Sequence, residues 1–181
     1  MSGIRGYSED ELIKGCQKGE RKFQKMLYHQ YAPLMYTICL GIARERAAAQ
    51  DILQEGFIKV FKKIKHFQGT GSLQGWIRKI ITNTAIDYFR KNNTLSNYII
   101  SGAEVDNEEV PGQILEQINT DTILQKVGEL PEGARVIFNL HALEGYTHKE
   151  ISELLNISEG TSKSQLNRAK NILKKWLKEF S

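Results

Sequence analysis

Between Glu20 and Ala43 the apolar residues Phe23, Met26, Leu27, Tyr31, Leu34, Met35, Ile38 and Ile42 recur mainly at intervals of three and four. That is the repeat of an α-helix buried along one side, and a strand, whose side chains alternate, does not produce it. Pro33 predicts a kink or break within this helix. Upstream, Ser8-Glu9-Asp10-Glu11 sets an N-cap and an acidic first turn before Leu12 and Ile13, predicting a helix to about Gly19. A third helix is predicted from about Ala47 to Phe67, and a fourth from near Ser72 to about Lys91, after the turn Gln68-Gly69-Thr70-Gly71. Helices near Thr120–Glu129, Glu132–Leu143, Thr147–Leu155 and Glu159–Phe180 follow, joined by turns of a few residues. No strand signal competes, so the fold class is all-α.

From Asn92 to Asn119 the pattern lapses, with no Lys or Arg and the acidic cluster Glu104, Asp106, Glu108 and Glu109. This reads as an acidic flexible linker over residues 94–119, between small helical domains at 1–93 and 120–181. The chain's net charge of +4 conceals a segmental map. Residues 1–91 carry 16 basic and 8 acidic side chains, residues 92–125 carry 6 acidic and no basic ones, and residues 126–181 carry 9 basic and 7 acidic. Two positive blocks flanking a negative one suit a polyanionic partner better than the net figure does. At 40% apolar and 25% charged, the 181 residues have enough to bury a core, which excludes a disordered tail or a disulfide-stapled peptide. Cys16 and Cys39 have neither CxxC nor histidine spacing, so no disulfide framework, metal site or cofactor is predicted. No run of about 18 apolar residues is present, and the first residues are charged rather than apolar, so a cytoplasmic chain without membrane insertion is expected.

The segment 147–180 has the plan of a helix-turn-helix. Thr147 is placed to cap its first helix with Glu150 as capping-box partner, Asn156 to take a left-handed turn position, and Ser158 to cap the second helix. On a helical wheel Ser162, Leu166, Ala169, Leu173, Trp176, Leu177 and Phe180 share the apolar side, while Gln165 lies at its edge. Lys163, Ser164, Asn167, Arg168, Lys174 and Lys175 fall opposite, as phosphates and base edges in a major groove require. A merely solvated face is the commoner explanation for one amphipathic helix; the capped turn argues against it here. Gly160-Thr161-Ser162-Lys163-Ser164 lacks the Gly-Lys-Ser/Thr order and preceding strand of a phosphate loop.

On the third helix Leu53, Phe57, Val60, Phe61, Ile64 and Phe67 form a core side, leaving Asp51, Gln54, Glu55, Ile58 and Lys62 on the other. An apolar Ile ringed by polar groups suits the centre of a protein contact. A metal or acid–base reading of Asp51 and Glu55 lacks a third ligand. On the fourth helix Leu73, Ile77, Ile80, Ile81, Thr84 and Tyr88 share one side, with Trp76, Lys79, Asn83, Ile86 and Arg90 around the other. Basic, amide and aromatic groups in one stripe fit unwinding or single-stranded nucleic acid, since phosphates need charge and an unstacked base needs a flat surface.

Leu130-Pro131, Gly145-Tyr146-Thr147-His148-Lys149-Glu150-Ile151 and Ile157-Ser158-Glu159-Gly160-Thr161 through Lys170 resemble the sigma-4 domain of extracytoplasmic-function sigma factors of bacterial RNA polymerase. The resemblance implies minus-thirty-five promoter contacts from Thr161, Lys163, Ser164, Asn167 and Arg168. Many members have Val at Ser162 and Arg at Gln165. Asp51-Ile52-Leu53-Gln54-Glu55-Gly56-Phe57 is similar to the family's sigma-2 stretch Asp-x-x-Gln-Glu-x-Phe. That makes Asp51, Gln54, Glu55 and Ile58 contacts for the clamp helices of the polymerase largest subunit. Phe67 through Ile77, continuing to Asn83-Thr84-Ala85-Ile86-Asp87, resembles the minus-ten region. It implies a pocket for a flipped base at Thr70, Gly71 and Ser72, with Trp76, Lys79, Asn83, Asp87 and Arg90 along the opened strand. The implied partners are core polymerase, including the flap of its second largest subunit, promoter DNA and an anti-sigma factor. No catalytic residue is implied. Two other classes stay open on the residues alone: a free-standing repressor or activator dimerising through residues 1–91, and a nuclease or resolvase-like enzyme, for which no clustered nucleophile or carboxylates are found.

Overall fold

The computed structural model describes residues 6–92 and 120–178, with Asn92, Thr120, Asp121 and Leu124 described by backbone alone. The linker read over 94–119 and the apolar Phe180 lie outside the described residues. Among the described residues there are helices and turns but no strand, as the periodicity requires. The chain divides into two compact units, residues 1–89 and 90–181.

The first unit holds α1 (Glu9–Gln17), α2 (Arg21–Ala43), α3 (Arg46–Lys63), a 3-10 turn (Ile64–His66) and α4 (Leu73–Asn92). A capping box starts α1. The Ser8 amide donates to the Glu11 carboxylate at 2.7 Å and the Glu11 amide to Ser8 Oγ at 3.2 Å, which holds the Glu11 carboxyl below its ordinary pKa. The far end is tied as well: Gln17 Nε2 donates to the carbonyls of Ile64 and Phe67, each at 3.2 Å. No break occurs at Pro33, which lies on the exposed side of a continuous α2, where water is available to the carbonyl that loses its amide partner. Leu27, Met35, Ile42, Ile52, Ile64, Leu73, Ile77 and Ile81 make a fully buried core. Gly56 permits the close approach of α3 to α4, since a Cβ there would lie 2.4 Å from Ile81 Cδ1.

Helix α4 corrects the wheel. Ile86, expected on the outer side, is 2% exposed, and Thr82, Ala85 and Phe89 are buried with it, whereas Ile80 and Tyr88 are half-buried. A wheel presumes one buried stripe, but α4 is enclosed around more than half its circumference between Ile81 and Phe89.

The second unit comprises α5 (Thr120–Glu129), α6 (Glu132–Phe138), a π turn (Asn139–Leu143), α7 (His148–Leu155) and α8 (Glu159–Lys178). Val127, Leu130, Ala134 and Ala169 form a core with Ile123, Phe138 and Leu173 packed against it. The helix expected over Glu132–Leu143 is continuous, but its end widens. The Glu144 amide bonds the Asn139 carbonyl at 3.0 Å, one residue farther back than an α-helix reaches. Asn139 Nδ2 meanwhile donates to the Arg135 carbonyl at 2.8 Å. Between α7 and α8 the capping signals are realised. Thr147 and Glu150 form a capping box, Asn156 sits at φ 54° and ψ 50°, and Ser158 Oγ accepts from the Thr161 amide at 2.9 Å.

Candidate functional site

Three solvent-facing surfaces carry the residues singled out from the sequence. On α3, Ile52, Leu53, Gly56, Phe57 and Val60 are buried, and helical geometry therefore turns Asp51, Gln54, Glu55 and Ile58 outward. Ile58 is 54% exposed. Glu55 Oε1 lies 2.8 Å from Lys59 Nζ, an i,i+4 pair that holds the carboxylate at the rim of the apolar side chain. Tyr28 stacks edge-on against Phe57 at 4.8 Å, bracing the inner side of the same helix.

The second surface begins in the loop before α4. Gly69 and Gly71 adopt φ of 74° and 90°, a region that residues with a Cβ enter only under strain, so they set the loop's path around exposed Thr70. Ser72 Oγ accepts from the Gly75 amide at 3.1 Å and starts the helix. From there Ser72, Trp76, Lys79, Asn83, Asp87 and Arg90 follow one another at three- and four-residue steps, a single stripe along α4. Ser72, Lys79, Asp87 and Arg90 are exposed; Trp76 and Asn83 are half-buried. Trp76 lies tilted on Phe67 at 5.2 Å, which fixes the indole while leaving part of it at the surface.

The third surface is the outer side of α8. Lys163 is exposed and lies 3.8 Å from Glu159, while Thr161, Ser164, Asn167 and Arg168 are half-buried. Two of these hydroxyls are already engaged. Thr161 Oγ1 meets Ser158 Oγ at 2.9 Å, and Ser164 Oγ donates to the Thr161 carbonyl at 3.0 Å. Gln165, expected at the edge, is 4% exposed and belongs to the inner side. Ser162 is completely buried.

Sequence reasoning missed two histidines behind this helix. His148 Nδ1 lies 2.8 Å from Ser162 Oγ, and its ring stacks on His141 with centroids 4.4 Å apart and planes 14° from parallel. His141 lies within the π turn, and no sequence period announces that register. The cysteines carry no such chemistry. Burial pushes the thiols of Cys16 and Cys39 up to about 11 and about 12, away from reactive thiolate. Among the described residues no helix is long and apolar enough to cross a membrane.

Sigma-70 region 2 matches residues 27–94, and Sigma-70 region 4 matches residues 120–173, in that order and over about two thirds of the chain together. The ECF RNA polymerase sigma factor SigW of Bacillus subtilis is 27% identical over 93% of this chain and 96% of its own length. SigM of the same organism is 29% identical over 82% of this chain and 91% of its own. In fold, the chain is similar to the sigma factor RpoE of Bartonella quintana, solved with the anti-sigma factor NepR. That match has a TM-score of 0.51 at 18% identity, over 85% of this chain and 96% of that one. Two sigma-70 regions on two helical units, and relatives matched nearly end to end, make this chain a promoter-specific transcription initiation factor of the extracytoplasmic-function branch of the sigma-70 family.

Proposed function

We propose that the three surfaces divide promoter recognition among them. The α3 surface of Asp51, Gln54, Glu55 and Ile58 docks on the clamp helices of the polymerase largest subunit. Residues 120–181 reach the flap of the second largest subunit and read the minus-thirty-five duplex with Thr161, Lys163, Ser164, Asn167 and Arg168. The loop Thr70, Gly71 and Ser72, with Trp76, Lys79, Asn83, Asp87 and Arg90, holds the opened minus-ten strand and traps a base. Domains at 1–93 and 120–181, joined by the acidic stretch 94–119, let the two promoter elements be engaged together. The polymerase performs the chemistry, and this chain supplies no catalytic residue. An anti-sigma factor, as bound by RpoE of Bartonella quintana, is the partner that would withhold the chain from polymerase.

The observation that carries this reading is Ile58, more than half exposed within a polar rim on a helix whose other side is closed. A factor that must seat on a large partner has a use for such a contact; a repressor dimerising through residues 1–91 would cover the same residue with a second copy, and the two are told apart by whether polymerase or self-association depends on it. The test is Ile58→Glu combined with Asp51→Lys, assayed by co-elution with core polymerase and by circular dichroism. Loss of co-elution with helicity intact is expected. Unaltered binding would remove the assignment of this surface, and tight sequence-specific duplex binding without polymerase would favour the repressor.

A further inference from the structure

Ser162 occupies the first turn of α8, its amide bonded to the Ser158 carbonyl at 3.1 Å, immediately before solvent-facing Lys163 and Ser164. Its hydroxyl is wholly buried and meets His148 Nδ1 across the helix-turn-helix at 2.8 Å. His148 is the first residue of α7, so this hydrogen bond ties the starts of the two helices together. Behind it the His141 ring stacks face to face. His141 Nδ1 is 2.8 Å from the Tyr146 carbonyl, which only accepts, so that nitrogen carries the hydrogen and the ring is held in place.

We propose that His148 is a positioning residue that sets the first turn of the recognition helix through Ser162, and that a proton on His148 loosens this hold. Duplex reading by this unit is then tuned by pH. The inference rests on α8 being the duplex-reading helix. At Nδ1 a neutral His148 has both ways of bonding the Ser162 hydroxyl open to it, accepting in one tautomer and donating in the other; the imidazolium offers two donors and no acceptor, so protonation removes the first and leaves the buried serine proton to find another partner. The groups acting on His148 are known from each element against it. Its own partial burial acts first, then His141 from the π turn, then Lys163 and Lys170 of α8, all disfavouring charge, while Glu159 of α8 opposes them. The folded pKa of His148 is therefore lowered, and the unfolded chain takes up its proton first. Stability from this site is complete above the ordinary histidine range and is lost as pH falls through the unfolded value of about 6.5 toward the folded one.

The test uses the full chain, isotope-labelled for histidine and amide resonances, and a duplex selected by the holoenzyme from a randomised pool. Between about pH 7.5 and 5.5, the Ser162, Lys163 and Ser164 amides should shift with the His148 midpoint, and duplex affinity should fall about five-fold. Added positive charge alone predicts the opposite, tighter binding on acidification. His148→Gln keeps a side-chain hydrogen-bonding group and should bind the duplex with its pH dependence abolished. Ser162→Val should uncouple the α8 amides from His148. The proposal is overturned if those amides ignore the His148 titration, or if wild type and His148→Gln share one pH profile. Absence of duplex binding at every pH, in polymerase-bound and free chain alike, would instead overturn the recognition role of α8, while coupled amide shifts would still uphold the clamp itself.

Discussion

The Thr82 hydroxyl is buried inside α4 with no hydrogen-bond partner, a cost that burial of a polar group imposes wherever the bond is missing. Replacing it with the nearly isosteric valine should raise stability by about 1 kcal/mol, read as a higher denaturant midpoint at unchanged slope. Arg44, which closes α2 at φ 65°, is a second strained position. Left-handed backbone costs a side-chain-bearing residue about 1–2 kcal/mol, against about 0.5–1 kcal/mol for the extra freedom of an unfolded glycine. Arg44→Gly should therefore stabilise the first unit slightly, by about 0.5 kcal/mol in the same assay. Neither residue was legible in the sequence, because Thr and Arg are ordinary helix-surface choices and only the surroundings make them costly. Asp51, Gln54, Glu55 and Ile58 were legible as an outward set, since they follow directly from knowing which side of α3 is apolar.

At the scale of the element, legibility tracks capping chemistry. Ser8 with Glu11, Thr147 with Glu150, Asn156 and Ser158 all act as their residue types predict, because a cap is a local bond between neighbours in the chain. Thr147→Ala removes the Oγ that accepts from the Glu150 amide at 3.2 Å, and should lower the stability of the second unit by about 1 kcal/mol, measured by thermal or denaturant melting. The π turn and the inward Ile86 were illegible for the opposite reason. Each depends on what other elements place around it, and a single-helix period contains no record of that. Gln165 belongs with them, an edge position on the wheel that the neighbouring helices close over.

Over the whole molecule, charge is the property that organises the proposed function. Lys163 stands exposed on α8, so Lys163→Ala should weaken duplex binding across sequences and reduce the slope of log affinity against log salt by about 0.9. The linker supplies the contrasting measurement. If Glu104, Asp106, Glu108 and Glu109 contact a basic polymerase path or mask the chain's own basic surfaces, changing all four to Gln should alter polymerase affinity or its salt dependence. An unchanged salt dependence and affinity would assign the stretch no electrostatic part. Length matters at this scale too. The turn Asn139–Leu143 reaches one residue farther per bond than an α-helix, and each helical residue advances the chain by about 100°. Deleting one residue there would restore the narrower coil and leave the stretches before and after it in nearly the same phase, because the wide turn takes up its extra residue within one revolution. What the deletion removes is the bulged register itself, and with it the seat from which the His141 ring meets His148.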